Sequence, residues 1–270
     1  SGSEIDKKRA NANIVMGRFL YALKQEADYE IISYEGGQKD NAITREAICE
    51  ILVAREDVEA VKASAAKAED GLREEYAGTD GNITVQITEE GHAETDVLHP
   101  TSREKVLFYL VQIPFGIQKM SGNIEGLVET STNIGIVKLS DDEFFARSSV
   151  RSSVEVARDA LSDKIQYLTE FLGGEYEIQG AYPAWEYRKD SPLRDKMVSV
   201  YEEMYGQKPE VVAIHAGLEC GLFYKKIEGL DCVSLGPNMK DIHTSEEVLD
   251  IASTERVWNY LVKVLEQLKD

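Results

Sequence analysis

His215 lies within the run Ala213-Ile214-His215-Ala216-Gly217-Leu218-Glu219-Cys220-Gly221-Leu222-Phe223, and His243 follows soon after Gly236-Pro237. Small and β-branched residues ending in a histidine, two glycines and an acid place polar groups at the carboxyl end of a strand, where α/β enzymes hold ligands. His215 also reads as a core histidine with a hydrogen-bond partner. Gly217 and Gly221 allow a ligand close to the backbone, and equally suit an ordinary turn. Glu219 between them suits a cationic substrate group or a structural arginine. His243 sits in Asp241-Ile242-His243-Thr244-Ser245-Glu246-Glu247, where Thr244 and Glu247 have capping-box spacing, so it precedes a helix. Its neutral imidazole suits a metal, or belongs to a surface loop. Farther up the chain, Asn133 in Glu129-Thr130-Ser131-Thr132-Asn133-Ile134-Gly135 offers an amide that polarises a carbonyl. Arg151 in Ser149-Val150-Arg151-Ser152-Ser153 offers a planar guanidinium that matches a carboxylate.

The elements that must position these residues follow from periodicity. Val15, Phe19 and Ala22 mark a helix over Arg9–Gln25, followed by a strand Tyr29–Tyr34 that ends at Gly36-Gly37. Ala47–Ala54 reads as a strand, Asp57–Tyr76 as a helix, and Gly81–Thr88 as a strand in which Ile83, Val85 and Ile87 alternate with polar residues. A second round has a helix Ser102–Val111, with Pro114 and Gly116 as breakers, then paired strands Leu127–Leu139 and Glu143–Ser149. Val154, Ala157, Leu161, Ile165, Leu168 and Leu172 form a helical stripe that Gly173-Gly174 stops, and Glu175–Ala181 reads as a last strand. Two α+β units of ferredoxin-like type, side by side, fit this order. From Tyr182-Pro183 to Pro192 the pattern changes. Helix Leu193–Tyr205, strands Val211–His215 and Asp231–Leu235, and helix Ser253–Leu268 resemble part of a helix-covered parallel sheet.

The 270 residues carry a net charge of −19, which argues against nucleic-acid binding, since phosphate neutralisation needs basic patches. No apolar run is long enough to cross a bilayer, so no membrane partner is expected. Cys49, Cys220 and Cys232 have no CxxC spacing and fit reduced thiols in the cytoplasm.

Taken together the motifs resemble the aminoacyl-histidine (Xaa-His) dipeptidases, a di-zinc metallopeptidase family related to the carnosinases. Ile124-Glu125-Gly126-Leu127-Val128-Glu129-Thr130-Ser131, Asn133, Gly135 and Val150-Arg151-Ser152 carry the resemblance. So do Gly180-Ala181-Tyr182-Pro183, the His215–Phe223 run, Gly236-Pro237, His243 and Glu247. The resemblance implies a lid and dimerisation domain over residues 1–183 and the C-terminal part of a catalytic domain over 184–270. It implies Asn133 and Arg151 as lid contacts to substrate backbone and carboxylate. His215, Gly217 and Glu219 fall on a wall of the substrate site, and His243 on a zinc ligand. A dipeptide substrate, two zinc ions and a homodimer are implied with it.

The sequence departs from that family in one chemically decisive way. It contains neither the family's His-x-Asp motif nor an Asp-Glu-Glu triplet, which supply the other metal ligands and the general base. A hydrolytic zinc site needs several protein ligands and an open position for water, and one histidine cannot provide it. The expectation is therefore a portion of a longer enzyme that binds no zinc tightly and hydrolyses nothing alone. The competing expectation is a non-enzymatic ferredoxin-like module for oligomerisation or ligand binding.

Overall fold

The computed structural model describes residues 2–92, 94–140, 142–213, 219–242 and 246–269. The chain divides into two compact units, Ser1–Gln179 and Gly180–Asp270.

The first unit is α+β. After a 3-10 turn over Gly2–Lys7, helix α1 (Ala12–Leu23) is started by Asn11, whose side chain accepts from the backbone N–H groups of Asn13 and Ile14. Val15, Phe19 and Leu23, with Leu20 beside them, are the buried face of α1. Strands β1 (Tyr29–Gly36) and β2 (Ala47–Val53) pair antiparallel, with an extra residue at Ile32 in β1. Two helices follow, α2 (Val58–Glu75) and α3 (Pro100–Gln112), then strands β3 (Gly116–Met120), β4 (Val128–Leu139) and β5 (Phe144–Ser152), and helix α4 (Glu155–Phe171). Helix α1 packs on α3 at Gly17, where a Cβ would stand 2.6 Å from Leu110 Cβ. The core between helices and sheet holds Leu20, Leu23, Ile31, Leu107, Leu110, Ile134 and Val137, all nearly inaccessible. Each such burial stabilises by about 1.5–3 kcal/mol.

All five strands form one antiparallel sheet, and β4 is its spine. One edge of β4 runs along β5, from Thr130↔Ser152 to Leu139↔Phe144. The other edge is shared. Strand β3 takes Val128–Thr132 and β1 takes Val137–Leu139. No strand covers Asn133–Ile136 on that edge among the described residues, so its polar backbone needs other partners. Asn11 Nδ2 donates to Ile134 O at 2.9 Å. Thr44 Oγ1 lies 3.2 and 3.0 Å from the carbonyls of Ile134 and Gly135 and has one proton to share between them.

The second unit is smaller. Helix α5 (Pro192–Tyr205) is capped by Ser191 and ends at Gly206, whose φ of 72° is the left-handed geometry of a helix stop. Helix α6 (Glu219–Lys226), the two-residue strands β6 (Met239–Lys240) and β7 (Val248–Leu249), and helix α7 (Ile251–Gln267) complete it. Helices α5 and α7 meet through Met197, Val200, Tyr260 and Val264, and Tyr260 OH donates to Met197 O at 2.7 Å.

Two sequence expectations change here. The first unit has one sheet in place of two ferredoxin-like units. Residues 81–88 join no ladder, because Val85 N donates to Glu69 Oε2 of α2 and Arg73 Nε donates to Ile83 O. Residues 175–181 likewise lie outside the sheet. In the second unit the described residues form no parallel sheet. Residues 211–213 and 231–235 have no ladder partner among them, and Ile214 and His215 lie outside the described residues. Asp231 is used instead as a helix cap. It accepts from Ser191 Oγ at 2.7 Å and from Leu193 N at 2.9 Å.

Candidate functional site

Asn133 and Arg151 come from neighbouring strands and share one face of the sheet. Antiparallel register pairs Ser131 with Arg151 and Asn133 with Ser149, so Asn133 and Arg151 are diagonal neighbours, with Cα atoms about 7–8 Å apart. Ile134 and Val150 alternate with them and face the helical core. The chemistry-bearing face is thus the one turned away from the helices.

Segment 37–44 crosses this face and is pressed onto β4. A Cβ on Gly135 would stand 2.4 Å from Asp40 O and 2.5 Å from Lys39 O, both backbone atoms, so only glycine fits. A Cβ on Gly37, at φ +80°, would overlap Gly135 O. Asn133 fastens the same segment. Its Nδ2 donates to Ala42 O at 2.8 Å and to Asp40 O at 3.3 Å, and its Oδ1 accepts from Asn11 Nδ2 at 3.0 Å. Asn13 extends the network, donating from Nδ2 to Thr44 Oγ1 at 3.1 Å and accepting from Tyr34 OH at 3.1 Å. Asn11, Asn13, Thr44 and Asn133 are all buried. Buried amides are costly unless satisfied, and here each finds partners.

The amide of Asn133 is therefore fully engaged inside the protein. In the described geometry it holds segment 37–44 and has no free donor for a substrate carbonyl. Sequence reading missed Asn11, Asn13 and Thr44. The only available signal was Asn11-Ala12-Asn13 at a helix start, and nothing local links it to a strand 122 residues away.

Arg151 is different. It is half-buried on β5, and its side chain makes no hydrogen bond or ion pair with any described residue. Burial lowers its pKa, since a charged guanidinium loses water there, and the charge of Asp40 acts in the opposite sense. A partly desolvated guanidinium on a polar face is a ready partner for an external carboxylate.

In the second unit, Glu219 is exposed in the first turn of α6, where its charge favours the helix start. Gly221 does make a close approach, but to the chain itself. A Cβ there would stand 2.9 Å from Pro183 O and 3.5 Å from Trp185 Cβ. His215, Gly217 and His243 lie outside the described residues. The helix after His243 begins only at Ile251, and its cap is Asp250, which accepts from Ser253 N at 2.9 Å. Thr244 also lies outside the described residues, and Glu247 precedes β7, so the helix starts later than their spacing predicts. No three His, Cys, Asp or Glu side chains come together as a metal would require among the described residues. Among them, too, no helix is long and apolar enough to cross a membrane.

The sequence profile of "Peptidase family M20/M25/M40" matches residues 10–267. The chain is 31% identical over 268 residues to the cytosol non-specific dipeptidase of Escherichia coli (strain K12), covering 99% of this chain and 55% of that protein. The crystal structure of an aminoacylhistidine dipeptidase from Vibrio alginolyticus superposes with a TM-score of 0.85 at 32% identity, over 96% of this chain and 53% of that one. The chain thus spans about half the length of the relatives it matches.

Proposed function

The chain belongs to peptidase family M20/M25/M40, and we propose that it is the substrate-clamping portion of a dipeptidase acting on Xaa-His dipeptides. The observation that carries this reading is Arg151, a half-buried guanidinium with no partner among the described side chains, on the polar face of the sheet. Arg151 holds the substrate carboxylate through paired N–H···O bonds. Asn133 acts indirectly, by fastening segment 37–44 beside that guanidinium. The first unit is the lid of the enzyme. Strand β2, at the sheet edge with Ile48 63% exposed, supports its part in a homodimer. His215, Gly217 and Glu219 are assigned to substrate binding in the intact enzyme, as the resemblance to the Xaa-His dipeptidases implies. The cytoplasm is the compartment of the enzyme, as the name of the E. coli relative indicates for that protein.

The described residues do not by themselves fit a two-zinc centre. His243 supplies one zinc ligand, and the other ligands and the general base lie in the part of the relatives' length that these 270 residues do not span. The purified chain therefore binds the dipeptide carboxylate without cleaving it. Calorimetric titration with glycyl-histidine tests this. Arg151→Gln should weaken binding about tenfold or more, the loss of a charge-assisted bidentate contact, and glycyl-histidinamide should bind no better to wild type than to the variant. Equal affinity of wild type and variant for glycyl-histidine refutes the clamp. Stoichiometric zinc with dipeptide cleavage by this chain refutes the division of labour.

A further inference from the structure

The backbone of Asp40 is fastened to β4, the strand that pairs with the strand carrying Arg151. The Asp40 carbonyl accepts from Asn133 Nδ2 at 3.3 Å and lies directly over Gly135, where a Cβ would be 2.4 Å away. Two residues on, Ala42 O takes the other Asn133 proton at 2.8 Å. The backbone of Asp40 is thus fixed from two sides. Its half-buried carboxylate makes no hydrogen bond or ion pair with any described residue. Asn133, which holds the Asp40 backbone, is the diagonal neighbour of Arg151 across β4 and β5, and the charge of Asp40 acts on that guanidinium. An aspartate and an arginine on mobile surface segments would close into a pair. Here both backbones are anchored, one in a strand and one on Asn133, and the two charges remain apart. A ligand is then met by a cationic group and, close by, an anionic one.

We propose that Asp40 determines specificity by reading the side chain of the residue whose carboxylate Arg151 holds, favouring a cationic or hydrogen-bond-donating group over an aliphatic one. This rests on the carboxylate-clamp reading. The physical basis is a difference of two effects. Asp40 repels the carboxylate of every ligand equally, whereas it attracts only those whose neighbouring side chain carries positive charge or a donor. The imidazole of a C-terminal histidine meets that description, and an aliphatic side chain does not.

The test uses the 270-residue chain and two dipeptides of similar shape, glycyl-lysine and glycyl-norleucine, titrated calorimetrically. Wild type should prefer glycyl-lysine by about fivefold, the scale of one partly exposed charge pair. Asp40→Asn, which keeps the backbone contacts, should tighten glycyl-norleucine, weaken glycyl-lysine and bring the two within about twofold. Asp40→Glu restores the charge and should restore the preference. A wild type that does not discriminate, or an Asp40→Asn variant that shifts both affinities by the same factor, overturns the specificity role while leaving the clamp in place. An Arg151→Gln variant that binds both dipeptides as wild type does, or a wild type that binds neither, overturns the clamp and this inference with it.

Discussion

Replacing Asn133 should unfasten segment 37–44 and expose how much the first unit depends on it. Asn133→Ala removes three hydrogen bonds, of 2.8, 3.0 and 3.3 Å. Asn11 Nδ2 keeps Ile134 O at 2.9 Å, so that donor is not stranded. The carbonyls of Ala42 and Asp40 lose their donor. At about 1 kcal/mol for each bond, and more for a carbonyl left buried and unpaired, the loss comes to about 2–4 kcal/mol. Asn133→Asp has nearly the same shape but should cost more at neutral pH. It keeps the acceptor for Asn11 and turns the two-proton donor into a carboxylate facing two carbonyl oxygens. Its folded-state pKa must then lie above the unfolded value of about 3.9. A raised pKa means that the protonated form is the better folded one. The stability deficit should therefore shrink as pH falls through the raised pKa, and grow as pH rises through it. Urea denaturation distinguishes the two units, because Trp185 and Trp258 both lie in the second. Far-UV dichroism should show a first-unit transition moved down by roughly 1–2 M urea, while the tryptophan fluorescence transition stays in place. A dichroism shift below about 0.3 M, or an aspartate variant as stable as the alanine one at neutral pH, refutes the reasoning.

Two further substitutions test other joints. Gly17→Ala improves intrinsic helix propensity by about 1 kcal/mol, yet its Cβ would meet Leu110 Cβ at 2.6 Å, so overpacking should prevail and destabilise by about 1–3 kcal/mol net. A thermal midpoint at or above wild type counts against it. Burial of Asp231 opposes its ionisation, but the hydrogen bonds from Ser191 and Leu193 and the charges of Arg188 and Arg194 outweigh it and lower its pKa. Its contribution is full above the unfolded value of about 3.9 and fades as pH falls below it. Asp231→Asn should lower the fluorescence-detected midpoint at pH 7 and leave it nearly unchanged near pH 2.

Much of the helical content was legible because helix signals are local. The Phe19 stripe and the Gly173-Gly174 stop each lie within a turn or two of what they control. The alternation Ile83, Val85, Ile87 misled because period two records a half-buried extended segment, not a ladder. Here α2 satisfies the segment through Glu69 and Arg73. Strand β3 escaped notice for the opposite reason. It begins at Gly116, whose φ of 80° marks a break, and its exposed Gln118 and Lys119 carry no apolar pattern. The resemblance singled out both Asn133 and Arg151. Only the hydrogen bonds of the folded chain separate them, one amide locked into Asn11, Asp40 and Ala42, one guanidinium left open among the described residues.

The shared edge of β4 also divides the sheet into local pairings and one long-range pairing. Strands β3, β4 and β5 follow one another in the chain, and their ladders close short loops. The β1–β2 hairpin is equally local. Joining the two pieces requires Tyr34 to find Leu139 across α2 and α3, for a ladder of only three residue pairs. Loop-closure entropy falls heaviest on that step, and three pairs return little against it. Asn11 and Thr44 add their bonds to Ile134 and Gly135 beside those three pairs, so the buried side chains reinforce the one long-range joint of the sheet.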